Sequence, residues 1–119
     1  MQDHHISQIA ERKRAWEEGD WAAGFGLVAD PEEHGFGHTP NQVAAVVPSG
    51  VDVVLGYHDA VAVRTLDYIA ALDATELDRI VDSSWDPPVL AGVRLVSVIG
   101  DCYQHVGQAA YLKGLLGRT

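Results

Sequence analysis

Apolar positions recur three and four residues apart along most of this chain, and apolar–polar alternation is almost absent. That spacing predicts helices rather than strands. The first helix is read over "DHHISQIAERKRAWEEG", residues 3–19, with Ile6, Ile9, Ala10 and Trp16 on a narrow apolar stripe and Gly19 as its stop. His5 borders that stripe and His4 points away from it. "WAAGFGLVADPEEHGFGH" is glycine-rich and irregular, which predicts a long loop anchored by Trp21, Phe25 and Phe36. "TPNQ" then offers Thr39 as N-cap, Pro40 at the first helical position and Gln42 at the third, a capping box for a short helix that Pro48 ends.

"SGVD" repeats that device, with Ser49 as cap and Asp52 reaching back, for a helix running to about Leu72. Its stripe holds Val51, Val54, Leu55, His58, Val61, Ala62, Thr65, Leu66, Ile69 and Leu72, which places His58 on the buried side. "DATE" opens another short helix carrying Leu77 and Ile80. "VDSSWDPP" reads as an ordered loop in which Trp85 is buried. The last helix occupies about 90–116. The expectation is therefore a single all-α domain over 1–119, with three long helices, two short ones and essentially no sheet.

The last helix carries the chemistry. Asp101, His105 and Gln108 share a stripe with Val98 and Leu112. An Asp and a His four residues apart stand on neighbouring turns, where they either pair with each other or converge on one divalent cation. A carboxylate on an apolar stripe requires a partner, because burying it alone costs several kcal/mol, on the order of those for other lone charges. His5 and His58 are the candidates by face for a third metal ligand. His34 and His38 read as turn or surface residues of the glycine-rich loop, which as a lid would bring one to a site. Gly107 permits either close helix approach or ligand access.

Composition narrows the classes. Seventeen acidic residues against eight basic ones give a formal charge of -9, which disfavours nucleic acid as partner. The single basic cluster, Arg12, Lys13 and Arg14, precedes Glu17 and Glu18 and reads as a solvated helix face. No apolar run reaches the roughly 20 residues of a membrane helix, and no signal peptide is expected. Cys102 is the one cysteine, so no internal disulfide forms; a reducing, cytoplasmic setting and an inert thiol are expected.

"GVRLVSVIGDCYQHVGQAAYLKGLLG" resembles the final helix of the DinB/YfiT-like superfamily, especially its branch of mycothiol-dependent transferases and maleylpyruvate isomerase. Asp101, His105, Gly107, Gln108 and Lys113 match the fingerprint. "LGYHDAVAVRTLDYIAALD" and "VDSSWDPPV" are similar to the third helix and following loop of one subfamily, and "MQDHHISQIAERKRAW" to the second half of its second helix. The resemblance implies a four-helix bundle holding a divalent metal, zinc or nickel, with Asp101 and His105 as two of three ligands. The third would be a His in a tryptophan–His–Leu segment of the second helix, which falls ahead of Met1 together with the first helix. The bundle is thus expected to be N-terminally truncated.

The resemblance also implies a low-molecular-weight thiol such as mycothiol as co-substrate, in an S-transferase or isomerase with Gln108 orienting a small-molecule ligand. The alternative is a non-catalytic bundle with a vestigial site. Three long helices leave a groove that a fourth would fill, so a homodimer is expected.

Overall fold

The computed structural model describes residues 1–117 and is all-α apart from a small ribbon. Its elements are α1 (Gln2–Ile9), α2 (Ala15–Glu18), α3 (Trp21–Gly24), α4 (Pro40–Ala45), α5 (Val51–Ala70), a 3-10 turn (Ala74–Asp78), β1 (Ile80–Asp82), β2 (Val89–Leu90) and α6 (Ala91–Leu116). Contacts divide the chain into two compact units, Met1–Leu72 and the residues from Asp73 onward.

In the first unit, the helical segment read over 3–19 is divided. α1 stops at Ile9, Glu11 takes a positive φ of 51°, and α2 starts at Ala15. Asp3 causes the break to persist: its carboxylate accepts the backbone N–H groups of Ala15 at 2.9 Å and Trp16 at 3.0 Å. A side chain from one helix thereby satisfies the orphan donors that open the next. Arg64 of α5 holds the corner from the other side, donating to the Lys13 carbonyl and the Glu18 carboxylate while its own carbonyl accepts from Arg12. Arg14 is consequently buried, at 6% exposure, and does not lie on a solvated helix face as its sequence neighbours suggest.

Tyr57 is the hub of the aromatic cluster. Its ring centroid lies 5.6 Å from Trp16, 5.5 Å from Trp21 and 5.8 Å from Phe25. Trp21 reaches α5 over Gly56, where an added Cβ would stand 3.3 Å from two indole atoms. The cluster sets the rotation of α5, so its inward face runs through Tyr57 and Val61. Val51, Val54, Leu55, Leu66 and Ile69 of the expected stripe are exposed. Phe36 is exposed as well.

The Thr39 capping box forms as read, with Gln42 N donating to Thr39 Oγ1 and Thr39 N donating to Gln42 Oε1 at 2.9 Å. The second box does not: Gly50 is the N-cap of α5 and no side chain bonds there.

In the second unit, β1 and β2 pair antiparallel, Ile80 opposite Leu90 and Asp82 opposite Val89. Ile80 is therefore a strand residue. The 3-10 turn begins at Asp73, whose carboxylate accepts Thr75 N at 2.8 Å. Gly92 of α6 lies against the Leu77 carbonyl, 3.3 Å from where a Cβ would be. Ala91 and Val98 are buried. The loop between the strands is shaped by Asp82, which accepts Ser84 N and Oγ, and Trp85 is 65% exposed in place of the burial expected for it. Among the described residues no helix is long and apolar enough to cross a membrane.

Candidate functional site

α6 is one uninterrupted helix, so the i, i+4 and i, i+7 relations read from sequence are realised along one edge. His105 Nε2 lies 3.5 Å from Asp101 Oδ1, and His105 Nδ1 lies 3.0 Å from Gln108 Oε1. The first gap is longer than a good hydrogen bond. It is close to the ~3.4 Å that separates two donors each about 2.1 Å from a tetrahedral zinc. The Asp101 side chain is 37% exposed and that of His105 67%, so both are open to an incoming ion or substrate. The donor pair fits a divalent metal. Among the described residues, however, no group of three His, Cys, Asp or Glu side chains is arranged to hold one.

The other two histidines proposed as ligands belong to the first unit. His58 is 73% exposed and pairs with its neighbour Asp59, Nδ1 to Oδ1 at 3.0 Å. It stands about 100° around the helix from Tyr57, which takes the inward position and leaves His58 off the buried face. His5 lies on α1 with its ring 5.3 Å from that of His4.

Sequence reading missed a second constellation, which lies wholly within Met1–Leu72. A cavity of about 420 Å³ is walled by Trp16, Phe25, Tyr57 and Val54, with His4, Arg14, Glu33, His34 and His38 among its polar lining. His38 is no surface residue: its side chain is largely buried and bonds Glu33 at 2.8 Å. His34 packs edge-on to His4 at 5.0 Å and accepts Phe36 N on Nδ1. Burial, and then the nearby His34 and Arg14, hold the His4 imidazole below its ordinary range, with Glu32 opposing weakly. Burial and the adjacent Asp3 carboxylate push the Tyr57 phenol up. The signal that was available is the clustering of two histidines and a glutamate around Gly35 and Gly37, both at positive φ.

The all-α fold, the carboxylate–imidazole pair on the last helix and the comparisons with known proteins together make this a DinB-like protein. The chain matches the mycothiol-S-transferase family over residues 7–117, and it belongs to that family. It is also similar to a solved structure described as a conserved protein of locus from Enterococcus faecalis, at 33% identity and a TM-score of 0.83. That match covers 92% of this chain and 65% of the other, so the chain spans just under two thirds of that relative's length. No curated protein matches it.

Proposed function

We propose that this protein takes part in transfer of a low-molecular-weight thiol such as mycothiol, with the Asp101–His105 edge of α6 as the reactive site. The observation that carries this reading is the 3.5 Å carboxylate–imidazole gap on the stripe that the family match spans. A bound zinc or nickel would lower the thiol pKa and favour the thiolate nucleophile.

The chain's own groups have separable roles. Asp101 supplies negative charge beside the imidazole and one oxygen donor. His105 supplies a nitrogen donor through Nε2, while Gln108 at Nδ1 fixes the ring's rotation. With no metal, the same imidazole is placed to accept a thiol proton, and Asp101 would stabilise the cation formed.

The test is zinc and nickel titration followed by a thiol-transfer assay. The expected result is about one equivalent bound, lost in His105→Ala, together with metal-dependent consumption of mycothiol. Binding below about a tenth of an equivalent, with no thiol consumed, overturns the reading.

A second reading is favoured by the exposed apolar side chains of α6, among them Val93, Val96, Tyr103, Val106 and Leu116. Large apolar side chains left exposed in this number are what an interface covers, and a second copy of the chain would cover them. The protein would then be a homodimer, with or without catalysis. Light scattering is expected to give twice the chain mass at micromolar concentration; a monomer mass there excludes the homodimer.

A further inference from the structure

We propose that the cavity in the Met1–Leu72 unit binds a small organic monocarboxylate, its acid group on Arg14 and its apolar body against Trp16, Phe25 and Tyr57. Every group used lies in that unit, so the inference stands apart from thiol transfer at α6.

The volume, about 420 Å³, is that of a small-molecule site, and apolar walls with a few convergent polar groups are the usual composition of one. The polar groups are unequal in what they have left to offer. Asp3 is saturated, accepting from Ser7, Ala15 N, Trp16 N and Tyr57. The Glu33 carboxylate is engaged by Gly35 N at 2.8 Å and His38 Nε2 at 2.8 Å. The Tyr57 hydroxyl is committed to Asp3 at 2.9 Å.

Arg14 is different. Its Nη1 donates to the Glu33 carbonyl at 2.7 Å, and its Nε lies 3.8 Å from the Glu17 carboxylate. Its Nη2 is buried and has no hydrogen-bond partner among the described residues. A guanidinium keeps its proton, so an unmet donor in a buried side chain is a standing cost that an anionic acceptor would relieve. A carboxylate matches this vacancy better than a phosphate does. One free nitrogen serves one acid oxygen, and the aromatic wall would leave a compact inorganic anion without contacts. Arg14 also borders a shallower depression of about 170 Å³ with Ser7, Gln8 and Pro31; its lining is predominantly polar and offers no place for an apolar body.

Benzoate, benzamide and inorganic phosphate are the probes, titrated calorimetrically into the full chain. Benzoate is expected to bind at least about tenfold more tightly than benzamide, as a charge-assisted bond on a guanidinium warrants. Phosphate is expected to bind more weakly than benzoate. Arg14→Met should remove the preference for the acid. Because that variant also loses the Glu33 contact, Val54→Phe provides a second arm: it narrows the cavity from a wall position that makes no hydrogen bond, and should abolish benzoate binding with the melting temperature retained. Equal affinity for acid and amide, phosphate binding as tight as benzoate, or benzoate binding that survives Val54→Phe would each overturn the proposal.

Discussion

Tyr57 donates its hydroxyl to Asp3 Oδ2 at 2.9 Å, across 54 residues of chain. The same carboxylate caps α2 and accepts from Ser7, so one acid ties α1, α2 and α5 together. Tyr57→Phe removes one of the donors to Asp3 and leaves the ring in its cluster, and is expected to cost about 1–2 kcal/mol. Asp3→Ala strands four donors and should cost more, roughly 3 kcal/mol or above. Urea denaturation of both variants checks the order; equal losses would refute it.

The phenol is held above its ordinary 10.0 by burial and by Asp3. Its contribution is fully present below about pH 10 and is lost as pH rises through the folded value, because the unfolded tyrosine ionises first. Tyr57→Phe should therefore flatten the alkaline limb of a stability–pH curve.

His4 runs in the opposite sense. Its folded pKa lies below the ordinary 6.5, so the unfolded chain takes up the proton first as pH falls. Stability is complete above about 6.5 and declines as pH drops toward the folded value. His4→Gln should be more resistant than the parent between about pH 6.5 and 5, and equal to it at pH 8. Denaturant midpoints at the three pH values decide this.

Two serine/threonine caps that look alike in sequence should behave differently. Thr39→Ala removes a formed capping box and is expected to cost about 1 kcal/mol in α4. Ser49→Ala removes nothing bonded at the start of α5 and should be neutral. Thermal melts of the pair distinguish the two.

Arg64 holds the Lys13 carbonyl and Glu18. Glu18 is half exposed, so the ion pair contributes little and the carbonyl bond dominates. Arg64→Met is expected to lose about 1–2 kcal/mol, nearly unchanged in high salt. A strong salt dependence would assign the effect to Glu18 instead.

Helix periodicity made α4, α5 and α6 legible, and with them the Asp101–His105–Gln108 edge, because all three side chains ride on one continuous helix. Legibility failed where a distant side chain decided local structure. Nothing in the residues next to Glu11 announces a corner there; it depends on Asp3, at the start of α1, and on Arg64, far along the chain. The rotation of α5 was misjudged for a similar reason: hydropathy ranks Val54 and Leu55 as inward, but three aromatic rings dock on Tyr57. His34 and His38 were unreadable as cavity residues because glycine-rich loops carry no periodicity from which to infer a face.

The corner also offers a way to observe α1 directly. The amides of Ala15 and Trp16 donate to Asp3 rather than to a carbonyl of their own helix. Deuterium can replace those two protons only when α1 releases its carboxylate. Their exchange rates therefore report the free energy of that one detachment, separate from global unfolding.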